Sequence, residues 1–551
     1  MFPPFLGKEE ENSSHLSAVR SPVPTPVVNY YLMTSTAQAA QATETDRLPK
    51  LYVGLIALMG AIKLLLHLLT NSQYGYFRDE LYYLDCARHL DWGYADHAPG
   101  VALYAKIGLL FGGSLQAIRF LPTLAGVGVV ITAMLIAREL GGKMFAQFLA
   151  GFCTLLAMAY LLIDSFLSMN AFEPLFWMAC ILVLLKIMRT GNSRLWLWFG
   201  LFAGLGLENK HSTAFFCLAV LIALVLTPLR RELTRPWIWL GVSVAVLIFL
   251  PNIVWQIRHN FATLELLRNV QKIGKNVVLG PGEYFLHQVL FMSPLSILVW
   301  GAALVWLFLP VGRRFRVLGW IYLALLALFI AMKGKDYYLY PIYPMLFAAG
   351  AVAWEQWTQQ RDWLRPPLVI LLSTAALLVP LGLPILPPGR LLTYMQRIHL
   401  MPPKSEVGHR GSLPQYFGDR FGWEELVDQV AHDYNTLPPD VRAKTAIFAN
   451  NYGEAGAIDL FGPKLGLPTA ISTHQNYFFW GPPPPDQGAQ GSNLLVLGDN
   501  PKSLARLCDS VQMLSFHYHA WGMGEENGPI LLCTGLKSSL QQEWPRLKKW
   551  N

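Results

Sequence analysis

The run Leu51–Thr70 constrains this chain more than any other feature. Its residues are predominantly apolar, and about twenty such residues are what an α-helix needs to cross a bilayer. Further apolar runs, bounded by charge or by Pro/Gly breaks, lie at about 118–138, 144–163, 171–189, 195–208, 211–228, 236–256, 288–310, 316–332, 337–356 and 366–384. The expected fold is a polytopic α-helical membrane protein of about eleven spans, because a helix satisfies its own backbone in lipid. The pair 195–208 and 211–228 is short and flanks Glu208-Asn209-Lys210-His211, so it reads either as two spans or as a re-entrant hairpin. Charged residues make up 14% of the chain, where soluble proteins carry about 25%.

A net charge of +8 would suggest nucleic acid for a soluble protein. Here the basic residues gather in short loops between apolar runs, and no nucleic-acid partner is expected. With the N-terminus in the cytoplasm, the loops Arg138–Lys143, Lys186–Arg194, Arg230–Arg235 and Arg313–Arg316 all fall inside, as the positive-inside rule requires. The loops 71–117 and 257–287, and everything after about 385, then lie outside the cytoplasmic (inner) membrane. Residues 1–46, rich in Ser, Thr, Pro and Ala, read as a disordered cytoplasmic tail. Residues 47–389 make the transmembrane part. Residues 390–551 return to ordinary charge density and alternate short β-like and helical runs, which predicts an extracytoplasmic α/β domain. The six cysteines lack metal-ligand spacing and no Gly-rich nucleotide loop is present. No cofactor is implied, and a divalent metal is left open.

Several charged groups stand out against this apolar background. The stretch Tyr74–Gly100 sets Arg78, Asp79 and Glu80 together, followed by Tyr82, Tyr83 and the turn Asp96-His97-Ala98-Pro99. On a helix Tyr82 and Tyr83 share the face of Asp79, whereas Glu80 turns about 100° away. Glu173-Pro174 begins another run; its carboxylate is either a first-turn acid stabilised by the helix dipole or a functional group. Lys210 occupies the 208–211 break, with Glu208 or Asp79 as candidate partners. Lys333-Gly334-Lys335 falls outside, against the orientation rule, and precedes Asp336-Tyr337-Tyr338. That pair is either snorkelling beside an aromatic belt or an anion site. In the C-terminal part, Asn450–Gly456 comes nearest to a phosphate loop but lacks its spacing. His474, ahead of Tyr477–Trp480, either packs or meets an acceptor.

The Asp-Glu-x-x-Tyr pattern at Asp79–Tyr83, the Asp-His-x-Pro turn and the Lys/Tyr-rich helix start near 333–338 resemble the membrane glycosyltransferases of family 39, with their GT-C type of fold. The likeness covers about residues 50–360. It implies an enzyme that moves a sugar, with inversion, from a polyprenyl-phosphate donor to an acceptor hydroxyl or phosphate on a lipid, envelope glycan or protein. It implies Asp79 as the catalytic base, Glu80 and Glu173 as further acids of the site, and donor-phosphate ligands among His97, Lys210, Lys333, Lys335 and Tyr338. Tyr82, Tyr83 and His474 are the acceptor-side candidates. The competing class is a lipid or solute transporter, which would show inverted repeats with matching broken helices. The break near Lys210 has no counterpart in the sequence.

Overall fold

The computed structural model describes residues 48–400, 406–407, 410–482, 493–524 and 526–551; the tail expected over residues 1–46 lies outside them. Six helices are long and apolar enough to cross a membrane, or up to eight if two sharply bent pairs each count as one. Helix α1 (Val53–Thr70) leads into the short loop helix α2 (Arg78–Arg88), then α3 (Leu115–Glu139) and α4 (Met169–Thr190). Helices α5 (Trp196–Asn209) and α6 (Thr213–Val225) meet at a break over Lys210–Ser212. Helix α7 (Pro236–Arg258) leaves Trp239, Leu240, Val246 and Leu247 exposed, as a lipid-facing helix does. Helix α8 (Tyr343–Trp357) is the opposite case, buried over most of its length. Its Gly350 lies so close to Val299 that a Cβ would overlap the Val299 carbonyl, the close approach that small residues permit between membrane helices.

The expectation of eleven separate spans differs from this count, because several apolar runs are interrupted. The run 144–163 breaks at Ala157 into Met144–Leu156 and Met158–Ile163. The run 288–310 turns by 102° between Phe291 and Pro294. These two breaks serve each other. Ser293 Oγ donates to Leu156 O at 3.0 Å and accepts from Met158 N at 3.3 Å, so the freed backbone groups stay paired away from lipid.

Residues 410–551 add a four-stranded sheet in the order β1-β2-β4-β3. Strand β1 (Thr445–Phe448) pairs in parallel with β2 (Asn493–Leu497), and β4 (Gly528–Leu536) runs antiparallel to both β2 and β3 (Cys508–His517). A disulfide joins Cys508 to Cys533 across β3 and β4. Helix α9 (Tyr452–Phe461) follows β1 and starts at Asn451, whose Oδ1 accepts from the Gly453 and Glu454 amides. This α/β part and the first loop share one core that includes Leu81, Tyr82, Cys86, Val427, Ile447, Ala455 and Ile458. Each large apolar side chain buried there contributes about 2 kcal/mol. The whole of Pro49–Asn551 forms a single compact unit.

Candidate active site

Asp79 and Glu80 are adjacent in α2 and have opposite surroundings. Glu80 is fully buried. Its Oε2 accepts from the Phe77 amide at 2.8 Å, closing the helix start, and from Arg119 Nη2 at 2.7 Å. Its Oε1 accepts from Arg119 Nε at 2.9 Å and from the Leu167 amide at 2.7 Å. Both oxygens are therefore spent on α3 and on the turn before α4. This corrects the expectation that Glu80 is a catalytic acid: no acceptor position is left for a substrate proton. Asp79, one residue back, has a side chain 31% exposed. It accepts from Tyr452 Oη at 2.8 Å, and Arg78 Nε stands 4.0 Å away.

Arg78 is itself held from the C-terminal part. Its amide donates to Asp419 O at 3.0 Å, and its guanidinium lies 3.6 Å from the Asp419 carboxylate and 3.8 Å from Glu526. Tyr452 is fixed by His474, which stacks on its ring at 4.9 Å and accepts from the Tyr452 amide through Nδ1 at 3.2 Å. Burial holds this imidazole well below its ordinary range, with Lys549 and Lys275 adding to the effect. Neutrality is what an accepting Nδ1 needs. The structure thus places His474 behind Tyr452, as its support.

Tyr82 donates to Asp96 at 2.8 Å, and its ring lies 4.9 Å from that of Tyr452. Burial raises the Asp96 carboxyl, with His97 opposing the rise. His97 was expected to hold the donor phosphate, and the structure does not support that role. The ring is almost fully enclosed, stacked on Tyr94 at 4.5 Å and met edge-on by Tyr82 and Tyr83. Its Nδ1 bonds to Ala98 O at 2.8 Å, and its Nε2 faces Cys86 and Asp96 at 3.7 and 3.9 Å. Tyr83 is buried in the same cluster. These rings hold the loop together and offer no face to a phosphate.

The second group forms where α4 starts beside the α5–α6 break. Glu173 is 1% exposed, accepting from Lys210 Nζ at 2.8 Å and from Ser212 Oγ. Lys210 also donates to Asn170 Oδ1 at 2.8 Å, so its carboxylate partner is Glu173 and not Glu208. An extended residue between two helices lets the lysine leave the helical path and turn inward. Its Nζ lies 4.7 Å from the Tyr338 ring centre and 5.4 Å from that of Tyr337. The Tyr337 ring joins the two groups, since Lys335 Nζ is 5.7 Å from it. Lys335 faces Glu406 at 3.8 Å. Burial pushes the Glu406 carboxyl up, yet Lys275, Arg78 and Lys335 together hold it below its usual range. Three cations thus converge on Glu406, and one of them, Arg78, is the neighbour of Asp79. Lys333 is exposed, with its backbone at φ +54°, and takes no part in these contacts. Among the described residues no three His, Cys, Asp or Glu side chains lie together as metal ligands.

Residues 96–255 match the family model of dolichyl-phosphate-mannose-protein mannosyltransferases. RgtD, a lipid A galacturonosyltransferase of Rhizobium johnstonii, is 25% identical over 279 residues, which is 47% of this chain and 58% of that one. The chain therefore spans less than two thirds of the length of that curated relative. ArnT from Cupriavidus metallidurans bound to undecaprenyl phosphate superposes with a TM-score of 0.58 at 14% identity, over 88% of this chain and 98% of ArnT. Its apo state gives 0.56 at 15% identity, over 87% and 98%. The chain thus resembles family 39 glycosyltransferases over residues 96–255 and shares the fold of ArnT.

In this chain, which has the fold of ArnT, the matched segment 96–255 carries Glu173 and Lys210 but not Asp79. Sequence reasoning missed Tyr452, Asp419 and Arg119. Tyr452 had a signal that was read for another purpose. It lies in Asn450–Gly456, and Gly453 and Gly456 are spaced to let α9 sit directly on α2. A Cβ at Gly453 would come within 2.5 Å of Arg78 Cγ, and one at Gly456 within 2.7 Å of the Leu81 backbone. Lys275 is one of several cations in the basic 257–287 loop, which reads in sequence as either solvated or covering an anionic headgroup, and nothing in the sequence separates it from its neighbours.

Proposed function

We propose that this multi-pass membrane protein transfers a sugar from a polyprenyl-phosphate donor to an acceptor hydroxyl on the extracytoplasmic side of the cytoplasmic membrane. Asp79 carries the reading. It combines partial exposure with a single phenol donor, so one carboxylate oxygen remains to take the acceptor proton. The acceptor oxygen attacks the anomeric carbon as its O–H proton passes to Asp79. The bond from the anomeric carbon to the phosphate oxygen breaks, its electron pair leaves on the polyprenyl phosphate, and the centre inverts. Lys210, Lys335 and Lys275 are the cations placed to stabilise that growing negative charge. A phosphate leaves without a general acid, so one carboxylate suffices, unlike the pair needed for glycoside hydrolysis. The ion-paired Glu173 holds Lys210 in place.

Two observations support the sidedness. The basic loops lie on one side in sequence order, and the Cys508–Cys533 disulfide belongs in an oxidising compartment. The lipid A in the name of RgtD and the undecaprenyl phosphate bound to ArnT make a lipid A-type glycolipid the first acceptor to test and undecaprenyl phosphate the first carrier. Incubating the purified protein with undecaprenyl-phosphate sugars and lipid A, and analysing lipids by mass spectrometry, tests this. A new glycolipid is expected with the wild type and absent with Asp79→Asn. Equal product from both would remove Asp79 from the reaction. Movement of a lipid without any glycosidic bond would favour the transporter.

A further inference from the structure

The dipeptide Asp419-Arg420 reaches from the C-terminal part into both segments that carry the site's carboxylates. Asp419 takes Arg78, the neighbour of Asp79, through its backbone carbonyl at 3.0 Å and its carboxylate at 3.6 Å. Arg420, nearly fully buried, donates through Nη2 to Ser165 Oγ at 2.8 Å. Ser165 belongs to the turn that leads into α4 and Glu173, and two residues on the Leu167 amide bonds Glu80. The guanidinium is wedged between the Phe166 and Phe417 rings, 5.3 and 5.6 Å from their centres, and its Nε donates to Tyr416 O at 3.1 Å. Backbone meets backbone at the same place, because a Cβ on Gly75 would overlap the Arg420 carbonyl oxygen.

We infer that Asp419 and Arg420 are positioning residues that set the separation between Asp79 and the Glu173–Lys210 pair. The inference rests on the proposed transfer reaction. Both anchors are held from one rigid dipeptide, so the relative placement of the base and the leaving-group cations depends on residues far away in sequence. Displacement of reacting groups by about 1 Å costs on the order of a hundredfold in rate without abolishing binding.

Arg420→Lys keeps the charge and loses the fork that spans Ser165 and Tyr416. It is expected to lower kcat at least tenfold with the donor KM within twofold of wild type and an unchanged melting temperature. Gly75→Ala, which pushes the strap from the other side, is expected to give the same split. Wild-type kcat in both variants, or a loss that follows the melting temperature alone, would overturn the inference. A second measurement needs no turnover. Spin labels at Leu90→Cys and Thr190→Cys, both exposed, report the distance between the far ends of α2 and α4. That distribution should broaden or shift in Arg420→Lys, and an unchanged distribution would defeat the positioning role. Should the wild type itself transfer no sugar, the transfer reading fails, and the distance data alone then decide the strap.

Discussion

The two carboxylates at the starts of α2 and α4 sit in opposite settings. Glu173 is sealed against Lys210 and Ser212, and every group around it comes from the helical bundle. Asp79 is partly open and bonded by a phenol that arrives from the α/β part. A carboxylate 1% exposed and held between an ammonium and a hydroxyl has no open side for an incoming hydroxyl, whereas a partly exposed one with a single phenol donor does. The difference separates a fixed charge from a group free to accept a proton. The residue type is almost the same in both, so the partner decides the role.

The largest effect should come from breaking the open half. Asp79→Asn keeps the bond from Tyr452 available but removes the proton acceptor, and transfer should fall by about 10²–10⁴-fold. A purified-enzyme assay on material of unchanged melting temperature checks this, and near-normal turnover would rule Asp79 out as the base. Glu80→Gln sharpens the contrast within α2 itself. Leaving Arg119 buried without its anion should cost about 3–5 kcal/mol of stability, read as a lower melting temperature before any change in the chemistry of the folded fraction. Tyr452→Phe removes one hydrogen bond to a charged acceptor, worth about 1.5 kcal/mol at the low end. Transfer should drop about tenfold, with the apolar contacts of α9 intact.

A smaller effect should appear with pH. Burial pushes the Asp419 carboxyl up to about 8 against the pull of Arg78. Burial also raises Asp85, Glu454 and Asp459 in the same contact between the first loop and the α/β part. An acid whose folded pKa is raised binds more protons folded than unfolded. Its contribution is complete below the unfolded value near 4 and is lost as pH rises through the folded value. Protection of the α2–α9 contact from limited proteolysis should therefore weaken as pH rises from about 4 to about 8, and Asp459→Asn should flatten the profile. His474 acts in the other direction, because a buried neutral imidazole costs stability once pH falls below about 6.5. A flat profile between about pH 6.5 and 8, where the His474 effect is absent, would count against the acid assignments. The smallest effect belongs to Lys333→Ala, which should leave the donor KM within twofold, while Lys335→Ala raises it severalfold.

Legibility differed between the halves for a physical reason. The bundle and the charges that interrupt it were readable because a charge in an apolar run needs an explanation wherever it points. Asp79, Glu173, Lys210 and Lys335 all stood out in this way. What each charge meets was not readable. Arg119, which fixes Glu80, lies 39 residues on, at the polar edge of a span, and Tyr452 lies 373 residues from Asp79. Sequence spacing places neighbours on one helix, but it says nothing of a ring brought in from the end of the chain. His97 misled for the same reason, since its enclosure by Tyr82, Tyr83 and Tyr94 is a property of packing.

The glycine-to-backbone seating of α9 on α2 also bears on how the protein is made. The first-loop helix is synthesised and translocated long before residue 452 exists, and until then Asp79 lacks its phenol and Arg78 lacks Asp419. A nascent or truncated chain already inserted in the membrane would hold its carboxylate out of register with the lysines. On the proposed reaction such a chain would leave the sugar on its carrier, because competence waits until residues 419–452 have been made. Closing a contact of that sequence separation is slow, so assembly of the site should lag behind insertion of the first helices.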